Sequence, residues 1–210
     1  VLLATLARWQ GEPDLARRQI ETLLPGGPDT EPGDSYFPAA LAAQRLAAEL
    51  ALNDGDLELA ERWAAAHGSW LDWSGAELWR VDHALLEARC RLAAGDLDAA
   101  RARADAALAQ ASEPRQPLAL LAARRLLGVI ALRAGSLAAA EEHLGHALAL
   151  ADECAVPFER ALTLVELAEL ADGGQSAPAA RRLLAEAREL ASACGARWLL
   201  ERIDRLAGRS

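Results

Sequence analysis

The segment Gly55-Asp56-Leu57-Glu58-Leu59-Ala60 returns forty residues on as Gly95-Asp96-Leu97-Asp98-Ala99-Ala100, and again as Gly135-Ser136-Leu137-Ala138-Ala139-Ala140. Self-similarity at a fixed period of this size is the mark of a repeat architecture. Ala180 extends the alanine column, while Gln175 takes the glycine position and the glycines stand at Gly173 and Gly174. Further columns run through Ala64, Ala104, Leu144 and Leu184, then through His67, Ala107, Ala147 and Ala187, and Cys154 and Cys194 share the same separation. Within each repeat these positions recur at the helical period, so one face of every second helix is buried. The Gly-Asp or Gly-Ser step supplies a residue that tolerates the left-handed conformation ending one helix, followed by an oxygen-bearing cap for the next. Each repeat therefore reads as helix, tight turn, helix.

The expected fold is all-α: a right-handed superhelical stack of about five antiparallel helix hairpins in a single domain, residues 1–210. The hairpins are read near 1–24, 38–67, 76–111, 117–152 and 157–193, with an amphipathic capping helix over 196–207. Residues 25–37, rich in Pro, Gly and acids, cannot continue a helix and are expected to form a loop. An apolar content of 52% is enough for a continuous core. The chain has no Lys and no Met but abundant Ala, Leu and Arg, the codon signature of a GC-rich bacterial genome. Because it opens at Val1 inside a helical pattern, it is read as a piece of a longer polypeptide.

The net charge of −9 argues against direct nucleic-acid binding, which relies on clustered cations to neutralise phosphates. No apolar run reaches the length of a membrane span and no leader pattern opens the chain, so no membrane partner and a cytoplasmic location are expected. Cys90, Cys154 and Cys194 are odd in number and lack CxxC spacing, which speaks against disulfides and zinc. They read as small packed side chains.

Gly-Asp-Leu followed by Ala100 and then Ala107, with the same pair recurring at Ala140 and Ala147, resembles the tetratricopeptide pattern. Leu127-Gly128 stands where that family places a Leu-Gly pair in the first helix. The period here is longer than the family's usual 34, and Leu replaces its aromatic two residues after the glycine. Long Ala- and Leu-rich repeats of this kind resemble the tetratricopeptide-like region of the large ATP-binding LuxR-type bacterial regulators, of which the maltose-regulon activator is the familiar member. Gly55–Ala66 and the stretch from Gly135 to Ala207 carry most of the likeness. In that family a nucleotide-binding module precedes the repeats and a helix-turn-helix module follows them. Neither is visible here, and without a lysine no GxxxxGK[ST] loop exists. The resemblance implies a piece that recognises an effector or partner while ATP hydrolysis and DNA reading occur elsewhere. Aligning the glycine columns to the family's groove places Arg45, Glu49, Asn53, Asp82, Arg89, Arg125 and Arg133 on the concave surface. Individually these are ordinary solvated charges; together their Arg forks suit an acidic or carboxylate-bearing ligand.

Trp63, Trp70, Trp73 and Trp79 fall at the junction of the second and third hairpins in a chain with only six tryptophans. Tryptophan serves both cores and binding hot spots. Packing of a long inter-repeat connection is the favoured reading, a ligand pocket the alternative. His143 and His146 are three apart on a helix but lack a third metal ligand. His67 and His83 are isolated, and Cys90 between Arg89 and Arg91 reads as packed rather than activated. No cofactor is expected. The leading expectation is a non-catalytic sensor of a bacterial multidomain transcriptional regulator, binding a protein, peptide or small-molecule effector or mediating homo-oligomerisation. An interaction scaffold attached to a cyclase or kinase, or a free-standing adaptor, is the alternative, and an enzyme using the groove or the histidine pair is the third.

Overall fold

The computed structural model describes residues 1–174 and 176–208; Gln175, in the glycine column, lies outside the described residues, as do Arg209 and Ser210. The described residues form helices and turns, with no strand among them. Contacts divide the chain into two units, Val1–Arg103 and Ala104–Ser210.

In the first unit, helices α1 (Leu2–Trp9) and α2 (Pro13–Leu23) form one pair. A short 3-10 turn at Gly27–Asp29 leads to α3 (Phe37–Asp54) and α4 (Leu57–Ser74), which pair in turn, and α5 (Arg80–Ala93) follows. Helix α6 (Leu97–Ser112) crosses into the second unit, where α7 (Pro117–Arg133) pairs with α8 (Leu137–Glu153) and α9 (Pro157–Gly173) with α10 (Ala177–Ala193). First helices also touch those of the next repeat, α3 with α5 and α7 with α9. The last helix, α11 (Arg197–Ala207), lies on α9 and α10 and buries Leu199 and Ile203 completely, as the amphipathic reading expects. Arg202 fastens it to α9 through Glu166 at 2.8 Å and Glu169 at 2.7 Å.

The repeat columns are the core. Ala60, Ala100 and Ala140 are 0% exposed and Ala180 1%, and the downstream columns are likewise buried. Gly55 closes α3 in the left-handed region at φ 79°, which a Cβ would penalise, and Asp56 then accepts the Leu59 amide at 3.0 Å to cap α4. Asp96 repeats the cap on Ala99 at 3.0 Å. Ser136 and Ser176 make no such side-chain bond, so the expected cap holds for the aspartates alone.

Helix α4 does not stop at His67 as the sequence reading has it but runs on to Ser74. A fourth column explains the extension: Leu71, Ala111, Ala151 and Ala191, forty apart, are each 0% exposed. Residues 68–74 are therefore a further turn of a packed helix rather than a connection. The cysteines also differ from expectation, since Cys154 and Cys194 are only partly covered while Cys90 is buried.

At equivalent positions of their repeats, helices α8 and α10 are both capped at a cysteine, followed by Ala155 at φ 51° and Gly195 at φ 66°. Only Ala155 carries a Cβ in that conformation among the described non-glycine residues. Ala155→Gly is expected to stabilise the protein by about 1 kcal/mol by removing this clash, offset in part by the freer unfolded chain. Urea titration at constant m-value measures it.

Candidate functional site

The helical pitch of α3 sets residues 45, 49 and 53 about one turn apart, the i, i+4 spacing that lines up side chains on one face. The structure brings three of the groove residues together there. Glu49 is 8% exposed and accepts from Arg89 of α5 at 2.6 Å and from Arg8 of α1 at 2.6 Å, with Arg45 at 3.5 Å. Arg8 was not among the expected groove residues. It precedes the clear repeats, and only the folding of α1 against the later hairpins of this unit delivers it to Glu49. Burial by itself would raise the Glu49 pKa; the guanidiniums of Arg89, Arg8 and Arg45 outweigh it and hold the carboxyl at about 2. One carboxylate thus serves as the common acceptor of three guanidiniums. Arg45, 44% exposed and the most loosely bound, is the guanidinium open to solvent.

The remaining groove candidates sit differently. Asn53 is exposed near the end of α3, and Asp82 is half-buried in the first turn of α5. In the second unit Arg125 is bound to the Glu159 carboxylate. Arg133 is exposed and lines an open hollow of about 280 Å³ together with Glu169, Asp172 and Leu206.

The tryptophans separate into two roles. Trp63 and Trp70 are core residues, 6% and 1% exposed. Trp70, Trp73 and Trp79 gather around Phe37, with ring centroids 6.3, 6.4 and 5.7 Å from it. Phe37 was missed by the sequence reading although the signal existed. Helices α3 and α4 have 18 residues each and fold back at Gly55 and Asp56, so the first residue of α3 lies beside the last turn of α4. Trp70 also donates its indole N–H to the Thr30 carbonyl at 3.1 Å, tying down the Pro- and Gly-rich loop.

His67 and His83, isolated in sequence, stack with centroids 5.5 Å apart and planes within 9°. Nitrogen lone pairs of parallel rings lie in parallel planes, so these two do not converge on one metal ion. Among the described residues no group of three or more potential metal ligands forms. His143 contacts Arg124 at 3.3 Å and is half-buried; His146 is exposed. Burial, with Glu61 adding, pushes the Cys90 thiol up to about 11, which leaves it protonated and unreactive at neutral pH.

Burial, with His83 and Arg45 adding, lowers His67 from 6.5 to about 3. Burial also lowers His83, against the pull of Glu87 and Asp72 and with Arg80 and Arg103 reinforcing it. A folded value below the unfolded one means that the neutral ring's contribution is complete above the unfolded pKa of 6.5 and is lost as pH falls from there toward 3. Between about pH 7.5 and about pH 5 the His67 loss is roughly 2 kcal/mol. Thermal melts across that interval should show it, and His67→Gln should flatten the dependence.

No helix among the described residues is long and apolar enough to cross a membrane. No protein-family model and no curated protein matches the sequence. Two solved structures are similar in fold: the nearly identical TPR-like repeats of a Podosopora anserina kinesin-light-chain-type protein, and a single-substitution variant of them. The variant aligns with TM-score 0.57 and 18% identity over 90% of this chain and 91% of its own. The parent gives 0.55 and 18% over the same shares. At that identity the likeness is one of fold, and the fold is a TPR-like helical-hairpin repeat.

Proposed function

We propose that the protein is a non-catalytic interaction domain, its 210 residues acting as one repeat module of the cytoplasm, and that it holds an acidic or carboxylate-bearing segment of a partner protein on the cationic cluster around Glu49. The observation that carries this reading is the solvent-open guanidinium of that cluster: Arg45, 44% exposed, stands 3.5 Å from a buried carboxylate that Arg8 and Arg89 already hold at 2.6 Å. A guanidinium held beside a fixed carboxylate is pre-oriented, so a second carboxylate binds it with little further loss of rotamer freedom. The groove residues Asn53 and Asp82 would then flank the segment, and Arg125 and Arg133 belong to separate contacts on the second unit. The TPR-like fold supports a scaffold role, and the resemblance to LuxR-type regulators supports its placement as the sensing part of a bacterial transcriptional regulator, with self-association open to such a module.

Fluorescein-labelled octa-glutamate is the probe. It is expected to bind with salt-sensitive affinity and to lose at least about fivefold in affinity on Arg45→Ala, more on Arg45→Glu. Arg45→Ala removes only the 3.5 Å contact from Glu49, so melting temperature should hardly change. Equal binding by wild type and Arg45→Glu sinks the reading. Sequencing of the flanking reading frame separates regulator from scaffold: a nucleotide-binding loop upstream and a helix-turn-helix downstream favour the first, a cyclase or kinase domain the second.

A further inference from the structure

The end of the first unit where α3 begins, α4 ends and α5 begins carries a surface opposite in character to the Glu49 cluster. Tyr36 and Trp73, at 75% and 62% exposure, are the exposed aromatics among the described residues, and Leu78, next to Trp79 in the chain, is 65% exposed. Trp73 is not a stray side chain. Its ring rests against Phe37, which in turn meets the edge of Trp79, so an ordered aromatic platform is offered to solvent. Large apolar groups clustered at the surface and braced from beneath mark interaction sites more often than scattered ones do.

Carboxylates border this platform. Asp72 and Glu77 flank it and share Arg80, at 2.7 and 3.8 Å. On the other side, at Ser35 next to Tyr36, opens a hollow of about 530 Å³ whose lining includes Asp29, Glu31 and Asp34. Arg62 pairs with Asp29 at 2.8 Å. Five carboxylates therefore surround the platform and the hollow against two guanidiniums, Arg62 and Arg80, each already engaged by the carboxylates named. A negative field next to exposed indole and phenol faces matches one kind of side chain: a cation on an apolar stem, whose head is drawn to the carboxylates and whose stem and charge lie against the rings.

We propose that this aromatic, acid-bordered apex is a docking surface for a basic segment of a partner protein, an arginine or lysine entering the acidic hollow while its neighbour packs on Trp73. The surface is independent of the cationic cluster around Glu49, and its partner has the opposite charge, so either site can fail without the other. It also gives Trp73 and Tyr36 a use that core packing does not require, since Trp63, Trp70 and Leu71 are buried at that junction.

Fluorescein-labelled octa-arginine is the test probe, titrated against the whole protein with indole N–H resonances followed by NMR. The expected result is a shift of the Trp73 indole signal and a loss of at least about fivefold in affinity for Trp73→Ala. The pair Glu31→Gln with Asp34→Asn should weaken binding similarly, whereas the charge-matched pair Glu189→Gln with Glu201→Gln, far along the chain, should leave it nearly unchanged. Trp73 is solvent-exposed, so Trp73→Ala should keep the wild-type circular dichroism; Trp73→Phe, which retains a ring, should recover most of the affinity and guards against a folding artefact. Equal loss in both charge-matched pairs, or an unmoved Trp73 signal, would mean that the probe senses only the overall acidity of the chain and would overturn the proposal.

Discussion

Glu49→Gln is expected to destabilise the first unit by about 3 kcal/mol. The magnitude follows from the carboxyl pKa, lowered from 4.5 to about 2 by Arg89, Arg8 and Arg45 against the cost of burial. Removing the negative charge leaves three guanidiniums facing one another without their common acceptor. Desolvation and like-charge repulsion then act together, whereas an exposed ion pair lost elsewhere on the surface costs about 0–1 kcal/mol. The sign in pH follows: a depressed carboxyl contributes fully above its unfolded value of 4.5, and the contribution disappears as pH falls toward 2. Acid unfolding of the wild type should therefore proceed through two ranges, His67 and His83 first and Glu49 below them. Glu49→Gln should erase the lower one. Urea titrations at neutral pH and at about pH 3.5 compare the two proteins; equal stability at neutral pH would show that the cluster is solvated well enough to carry no net energy.

Gly128→Ala should cost about 1–3 kcal/mol, although alanine is the better helix former by about 1 kcal/mol. A Cβ at Gly128 would stand 2.6 Å from Cγ and 2.7 Å from Cδ2 of Leu144. Those distances lie inside van der Waals contact, and Leu144 is 0% exposed, so it cannot swing out into solvent without leaving the core. Packing therefore decides against propensity. The same column holds Ala48, Ala88 and Ala168, and in the second repeat the residue in the Leu144 column is Ala64. Small residues at both crossing points are one solution to close helix approach, and glycine against leucine is another. Gly128→Ala combined with Leu144→Ala should consequently cost less than the sum of the two single changes, with a coupling of roughly 1 kcal/mol or more. Strict additivity in chemical denaturation would show that α7 and α8 can separate to accommodate the methyl group.

The repeat was legible in the sequence because packing at a helix crossing is a local demand repeated at a fixed interval. Ala60, Ala100, Ala140 and Ala180 each meet the same geometric need, and the Gly55-Asp56 step ends one helix and caps the next wherever it recurs. The true length of α4 was equally present, in the column of Leu71, Ala111, Ala151 and Ala191, but the Trp-rich run of residues 70–79 drew the reading toward a connection. The candidate sites were legible only in part. Placing Arg45 and Glu49 on one face of α3 needs nothing beyond the helical period, and Arg89 follows from the column alignment.

Other relations belong to tertiary structure. Arg8 reaches Glu49 from another repeat, Phe37 meets Trp70 and Trp73 across its hairpin and Trp79 at the start of the next helix, and His67 stacks on His83 of that helix. Each joins side chains whose separation along the chain follows no helical period, so neither periodicity nor composition names the partner. The sequence by itself determined the hairpin repeat, because burial of a helix face depends on residues three and four apart. Only the folded chain decided which charges share a buried carboxylate and which aromatic rings remain in water, because those outcomes depend on distances between helices and on the solvent that packing excludes.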